Sequence, residues 1–197
     1  MNIIWHGHSC FEITGKDGTI VFDPYQANSV PGLNSLKLKA NLVLCSHEHD
    51  DHNARNCVEV APKDFKVTFI ETYHDHHQGS HRGKNTIHIV DFEDLKVVHM
   101  GDIGCMMDDI SKLKNCDVLM IPIGGYYTID TKEALKYIER IQPRIVIPMH
   151  YCSHEFGYDV LSTNEEFIQK SSNIVYVDDY LEVHKETKGQ TIVFKKP

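Results

Sequence analysis

Short runs in which apolar and polar residues alternate dominate the first half of the chain and predict β-strands. Turn signals, such as the glycines at both ends of segment 15–18, separate these runs. The predicted strands cover residues 2–6, 11–14, 19–22, 42–46, 66–70, 86–90 and 95–100. A chain that opens with this many short strands favours a sheet-rich fold.

The second half of the chain alternates strands with helices. An apolar strand over 118–121 leads to a helix predicted over Thr131–Ile141, where Asp130 and Glu133 form a capping-box pattern and Pro143 follows the helix. A strand over 144–148, an amphipathic stretch near 163–171 and strands over 174–177, 180–184 and 191–194 complete the chain. This order predicts an α+β protein with two packed sheets and helices outside them.

Length and composition narrow the class of protein. With 197 residues, 41% hydrophobic and 24% charged, we expect one globular domain over 1–197 and exclude disorder and coiled coil. No apolar run is long enough for a membrane span, and the first residues lack the features of a signal peptide. Six cysteines without a C-x-x-C pair predict reduced thiols in a cytoplasmic protein.

The net charge argues against one class of partner, and the histidine content suggests another kind of ligand. The net charge of −8 and the absence of a long basic stripe argue against nucleic acid as a partner. A small-molecule substrate is expected instead, without a membrane partner, and a homo-oligomer stays open. The chain also has 14 histidines, an excess that suggests metal binding.

The strongest motif is H-x-H-x-D-H, which spans His47 to His52 directly after a predicted strand. Imidazole and carboxylate are ligands that zinc and similar divalent ions prefer. In an extended loop, His47 and His49 point to the same side and can hold one metal. Asp51 and His52 follow and suit a second metal a few Å away.

This motif resembles the signature of the metallo-β-lactamase superfamily. The resemblance extends along nearly the whole chain in sequence order. It includes the segments 5–11, 21–24, 73–75, 82–85, 99–102 and 148–151. The first two look like the opening of the small-hydrolase branch that includes ascorbate-6-phosphate lactonase-like proteins. Membership implies a four-layer αββα sandwich with a dinuclear site at one edge of the two sheets.

The resemblance also implies a ligand set for two divalent ions, zinc first, with manganese, iron or nickel as alternatives. His47, His49 and His74 would hold the first ion. Asp51, His52 and His150 would hold the second, and Asp102 would bridge the two. His76, His77 and His81 lie close to His74 in sequence and could replace it. A mononuclear site also stays open.

Other residues are candidates for supporting roles. Asp23 could accept a hydrogen bond from a ligand histidine, and His99 is expected beside the site. His8 lies between two strands and is either a residue of the substrate cleft or a structural histidine. His88, His154 and His184 are expected at the surface or at a strand edge.

Three residues are candidates for substrate binding. Arg82 and Asn85 lie in a glycine-containing loop that the family uses near its active site, and an arginine there could clamp a carboxylate or phosphate. Tyr127 follows Gly124–Gly125 just before a predicted helix, whose N-terminus favours an anion. Solvent exposure and an ordinary turn are the alternative explanations for these residues.

Together these features predict a metal-dependent hydrolase acting on a lactone, ester or phosphodiester. A metal-bridged hydroxide would attack, Asp51 would orient it, and water or His8 would protonate the leaving group. His49 stands where the flavodiiron branch usually carries glutamate, which disfavours redox chemistry. A non-catalytic metabolite-binding or sensor protein of the same fold is the alternative, and a purely structural metal site is disfavoured because no cysteine belongs to the ligand set.

Overall fold

The computed structural model describes residues 1–197. The strands of its first sheet have side chains that point alternately to the two faces of the sheet. Its five strands are, in spatial order, β13 (Leu181–Glu182), β1 (Asn2–Gly7), β2 (Cys10–Gly15), β3 (Gly18–Phe22) and β5 (Leu42–Leu44). All neighbours are antiparallel except β5, which pairs in parallel with β3. Phe11 lies opposite Phe22 and Ile13 opposite Ile20, and all four side chains are fully buried. One face of this sheet is therefore apolar.

The second sheet has seven strands and combines both pairing modes. In spatial order they are β12 (Ile174–Val177), β14 (Gln190–Phe194), β11 (Ile145–Met149), β10 (Val118–Pro122), β9 (Leu95–His99), β8 (Lys84–Phe92) and β7 (Lys66–Tyr73). The pairs β7–β8 and β8–β9 are antiparallel, and the other pairs are parallel. Every residue of β10 and β11 is buried, as expected for parallel strands that are covered on both faces.

The two sheets pack face to face around one core. This core is a cluster of 40 buried residues that extends from Met1 to Phe194. Trp5 belongs to it and contacts the rings of Phe11 and Phe156, with ring centroids 6.4 and 5.4 Å away. Its indole N–H donates a hydrogen bond of 3.1 Å to the carbonyl of His8. The core thus fixes the position of the turn between β1 and β2, which contains His8.

The helices cover the seven-stranded sheet. Helix α1 (Thr131–Ile141) begins with the predicted capping box and links the parallel strands β10 and β11. Helix α2 (Glu165–Lys170) follows β11 and contacts α1. No helix of the protein is long and apolar enough to cross a membrane.

The other outer layer differs from the implied αββα arrangement because it contains no α-helix. The segments 24–41 and 45–65 cover the five-stranded sheet with a 3₁₀ turn (Arg55–Cys57) and a two-stranded sheet, β4 (Leu38–Ala40) and β6 (Val58–Val60). A small second core lies beneath this segment. It consists of Cys10, Val21, Tyr25, Val30, Ala40 and Val58. The α+β class and the paired sheets are confirmed, but one helical layer is replaced by irregular chain.

The predicted strands are confirmed with shifted ends. The strand expected over 66–70 continues to Tyr73, because β8 pairs with it as far as Lys84. The strand expected over 180–184 shortens to two residues. Strands β4 and β6 were not predicted, since each has three residues and is too short for a recognisable alternation.

Candidate metal centre

The predicted ligands come from the ends of strands in both sheets. The loop 45–54, which contains the H-x-H-x-D-H motif, follows β5 in the first sheet. His74, Asp102 and His150 follow β7, β9 and β11 in the second sheet. Because the core joins the two sheets face to face, these loops meet at one edge of the sandwich. The fold therefore brings together all seven ligands that the resemblance implied.

His47, His49 and His74 form the first group. Their ligand atoms lie within 4.8 Å of one another, and their ring centroids are 4.5 to 5.1 Å apart. The alternatives to His74 lie elsewhere. His76 is mostly exposed and 3.7 Å from Glu133, while His77 and His81 are exposed, with their tilted rings 4.3 Å apart. The tertiary structure thus places His74, and not its neighbours, in the cluster.

The second group consists of Asp51, His52 and His150, joined by His8. The ligand atoms of these four residues also lie within 4.8 Å of one another. Asp102 stands between the two groups. Its Oδ2 atom is 2.9 Å from Nε2 of His150, 3.1 Å from Nε2 of His52 and 3.3 Å from Nε2 of His74. The Asp102 carboxylate would therefore be within reach of metal ions held by either group.

Unpartnered nitrogens show that the cluster suits a metal. Nε2 of His47 and Nδ1 of His150 are buried without a hydrogen-bond partner. Nε2 of His52 and Nε2 of His150 also make no well-directed hydrogen bond, although Oδ2 of Asp102 lies 3.1 and 2.9 Å away. Leaving such groups unpaired costs about 1–3 kcal/mol each. A divalent cation would compensate, and imidazole with carboxylate is a suitable donor set for one. The residues present therefore fit divalent metal binding.

Asp23 and Ser46 form hydrogen bonds that hold the histidines of the motif in place. Asp23 is fully buried and accepts hydrogen bonds from Nδ1 of His52 at 2.8 Å and from the amide and hydroxyl of Ser46. The Ser46 hydroxyl is also 2.9 Å from Nδ1 of His47. The predicted hydrogen bond between Asp23 and a histidine of the motif is confirmed. Ser46 was not predicted, although it directly precedes the motif.

Burial keeps two imidazoles of the cluster in the neutral form that metal binding needs. Burial lowers the pKa of His47 to about 3 and, together with His150, that of His8 to about 4. Both are therefore neutral at pH 7, the form that binds a metal. His52 is the exception. Burial lowers its pKa, but Asp102, Asp23 and Asp51 outweigh burial and raise the pKa well above its usual value.

Asn85 is a positioning residue, which contradicts the predicted substrate contact. It is fully buried, and its Oδ1 accepts the backbone N–H of Asp102 at 2.8 Å. Its amide group donates to Thr72 and to the carbonyl of Met100. Gly101 packs against it so closely that a Cβ atom would lie 2.4 Å from Oδ1 of Asn85. Asn85 thus fixes the loop that carries Asp102 and has no free surface for a substrate.

The backbone around the ligands is strained. His8, Asp23 and His150 have φ values of 53°, 42° and 54°, in the left-handed region that residues other than glycine rarely adopt. The amide of His150 also donates a hydrogen bond to the carbonyl of His8. Such conformations cost of order 1–3 kcal/mol each and persist where the surroundings impose them. These backbone conformations direct the side chains of His8 and His150, which follow strands of different sheets, into the same cluster.

A cavity of about 250 Å³ opens onto the cluster. Arg82, Tyr127 and Tyr158 line it together with His49, His74, His150, Asp51 and Asp102. The guanidinium of Arg82 lies 5.2 Å from the ring centre of Tyr127, a distance at which a cation and an aromatic face attract. Tyr158 was not predicted. It lies in a loop without a motif, and its hydroxyl is 3.2 Å from Oδ2 of Asp51.

The loop that carries Arg82 is organised by Asp75. The Asp75 carboxylate accepts four backbone N–H groups, from His77, Gly79, His81 and Arg82. Burial raises the pKa of Asp75, but these donors outweigh burial and lower the pKa to about 2. The carboxylate therefore stays charged and holds Arg82 at the mouth of the cavity.

The comparison with known sequences identifies the family. A model of the beta-lactamase superfamily domain matches residues 2–150, a range that contains all seven predicted ligands. The chain belongs to the metallo-β-lactamase superfamily. The UPF0173 metal-dependent hydrolase of Thermoplasma acidophilum is 30% identical, over 77% of this chain and 83% of the relative. The one from Staphylothermus marinus is 31% identical, over 74% and 81%.

Solved structures show the same fold, and one of them supports the family assignment. A Thermotoga maritima protein assigned to the metallo-β-lactamase superfamily is 26% identical, with a TM-score of 0.79 over 98% of this chain and 97% of its own. The metallo hydrolase Igni18 of Ignicoccus hospitalis shares the fold, with 20% identity and a TM-score of 0.61 over 86% and 89% of the two chains. The α+β class predicted from the sequence is the superfamily's fold.

Histidines outside the ligand set of the superfamily have distinct environments. His99 is buried behind the site, and its Nε2 donates to the carbonyl of Ser9 at 2.9 Å. His6 is half-buried and pairs with Glu12. His88 was expected at the surface or at a strand edge, but it is buried between the sheets, beside Phe22 and Phe69.

Proposed function

We propose that this protein is a hydrolase that uses two divalent ions on a small polar or anionic substrate, such as a lactone, an ester or a phosphodiester. The observation that carries the proposal is the pair of ligand groups that share Asp102 and face one cavity. The names of the related proteins, which are metal-dependent hydrolases, support it.

The residues of the first group, His47, His49 and His74, would hold one ion, and those of the second group would hold the other, with Asp102 between them. Bound ions supply an acidic coordinated water and a Lewis acid for a carbonyl or phosphoryl oxygen. Zinc is favoured because the donor set is imidazole and carboxylate, although manganese, iron and nickel accept the same ligands.

Three side chains would perform the remaining steps. Asp51, which lines the cavity, would orient the attacking water through its carboxylate. Tyr158 keeps its proton at neutral pH, because burial and the charge of Asp51 raise its pKa, so its hydroxyl can donate to a developing negative charge. Arg82 would bind an anionic group of the substrate.

Tyr127 contributes twice to this arrangement. Its side chain lines the cavity beside Arg82, and its carbonyl accepts the Nδ1–H of His74 at 3.0 Å. That hydrogen bond leaves Nε2 of His74 free to bind a metal.

We keep the cytoplasm as the proposed compartment, which agrees with six cysteines that are all free.

The test joins metal analysis to turnover. Chelated protein should be inactive on a panel of lactones, thioesters and phosphodiesters, and it should regain activity with one particular metal among zinc, manganese, iron and nickel. Asp51→Ala should lower kcat by at least about 100-fold, the range of a lost catalytic carboxylate. The neighbouring Asp50 is exposed, so Asp50→Ala is the matched control and should turn over normally. Failure to take up metal, or full activity in Asp51→Ala, would contradict the proposal.

Arg82 provides a separate test of the substrate class. Because a charge-assisted hydrogen bond is worth about 1.5–3 kcal/mol, Arg82→Ala should raise KM for anionic substrates by about 10-fold or more. Neutral substrates of similar size serve as the internal control and should keep their KM. An equal loss on both kinds of substrate would show that Arg82 does not select for charge.

A further inference from the structure

His8 has the placement of a metal ligand, although it lies outside the set of seven. Its ring is buried, with 1% of the residue exposed. It does not line the cavity, so it cannot touch a substrate there as the predicted proton donor would. A structural histidine that bonds to the backbone is also excluded, because the only hydrogen-bonding contact of its ring is to a side chain, Asp51.

The distances around His8 match the edges of a coordination shell. Nε2 of His8 is 3.3 Å from Oδ2 of Asp51, and Nε2 of His52 is 3.8 Å from the same oxygen. In a five-coordinate shell, neighbouring ligands at about 2.0–2.1 Å from the ion are about 2.9–3.6 Å apart. The ring of His8 also lies 4.1 Å from that of His150, centre to centre.

The local backbone explains why His8 is held there. His8 adopts a left-handed conformation, preceded by Gly7 with φ of 102°. Its carbonyl accepts the indole N–H of Trp5 at 3.1 Å and the amide of His150 at 3.2 Å. The turn between β1 and β2 is thereby tied to the core and to the end of β11. This arrangement directs the His8 imidazole into the second ligand group.

We propose that His8 binds the second metal ion through Nε2, beside Asp51, His52 and His150. With the shared Asp102, this ion would have five protein ligands, whereas the first ion would have four. The second ion would therefore have fewer open positions and the denser protein shell. This assignment rests on the proposed dinuclear centre.

The experiment compares zinc binding in the wild type, His8→Ala and His8→Gln. Each protein is stripped with chelator and titrated with Zn²⁺ against a chromophoric competitor, and bound zinc is counted by elemental analysis. We expect two ions in the wild type. In both variants one ion should be unchanged and the other about 100-fold weaker or lost, a loss at least as large as that for removing an outer-shell partner.

The matched control is His6→Ala, which removes a nearby histidine that lies in β1 and outside the cluster; it should bind two ions as the wild type does. If both His8 variants misfold by circular dichroism, wild type loaded with ¹¹³Cd²⁺ and labelled with ¹⁵N-histidine decides. Cadmium coupling to six histidines supports the proposal, and coupling to five overturns it.

The outcomes separate the two proposals. Two ions of unchanged affinity in His8→Ala would overturn the role of His8 and leave the dinuclear hydrolase intact. A wild type that binds fewer than two ions would overturn the dinuclear centre itself and, with it, this assignment.

Discussion

At the scale of single residues, burial decides what each histidine does. Six histidines gather at the metal centre, where carboxylates and buried, unpartnered nitrogens surround a space for cations. His88 is also buried, but it does not belong to the ligand cluster. Its Nδ1 atom has no hydrogen-bond partner, and its ring lies 5.5 Å from that of Phe69 and 6.3 Å from that of Phe22. It is a polar residue in an apolar position.

His88 predicts a specific dependence of stability on pH. Burial lowers its pKa from the usual 6.5 to about 4, so between these values the unfolded chain binds a proton that the folded chain does not. Its contribution to stability is complete above pH 6.5 and is lost as the pH falls towards 4. On going from pH 8 to pH 5, His88→Phe should gain about 2 kcal/mol of unfolding free energy relative to the wild type.

Urea unfolding at the two pH values measures this difference. Exposed His184, which pairs with Glu182, offers the control His184→Phe, which should follow the wild type at both pH values. If His88→Phe and the wild type lose stability in parallel, His88 is not responsible for the acid sensitivity.

At the scale of elements, the ends of strands determine where chemistry is placed. His74, Asp102 and His150 each follow a strand of the second sheet, and the motif loop follows a strand of the first. The elements themselves are stabilised locally. In α1, Asp130 accepts the amide of Glu133 at 2.9 Å, and the Glu133 side chain accepts the amide of Asp130 at 3.2 Å.

This capping box predicts the effect of its removal. Asp130→Ala leaves the first amides of α1 without the carboxylate partner, so the unfolding free energy should fall by about 1 kcal/mol. Asp130→Ser keeps a capping oxygen and should stay within a few tenths of a kcal/mol of the wild type. Urea denaturation of the three proteins checks this. Equal destabilisation by alanine and serine would show that the capping hydrogen bond is not what matters.

At the scale of the whole molecule, the metal centre joins the two sheets. The first sheet contributes His8 and the motif loop, and the second contributes His74, Asp102 and His150. Ligands from both sheets cannot converge unless the core between them is packed. The net charge of −8 includes the carboxylates of this site, and two divalent cations would offset half of it. Metal binding and the final packing of the sandwich are therefore linked.

The chain by itself determined the elements and the chemistry. Alternation of period two predicted β1 to β3 and most of the second sheet, and the Asp130–Glu133 spacing marked the first turn of α1. The H-x-H-x-D-H loop indicated metal because its ligands are neighbours along the chain. Signals of this kind are local, and a sequence records them directly.

Only the tertiary structure decided which of several similar residues face the site. It selected His74 over His76, His77 and His81, turned Asn85 inward to hold Asp102, and brought Tyr158 to Asp51 from 107 positions along the chain. It also places His8 in the second ligand group, whereas the sequence suggested the substrate cleft or a structural role. These outcomes depend on how loops from separate strands pack against one another, and such long-range contacts leave no pattern among neighbouring residues.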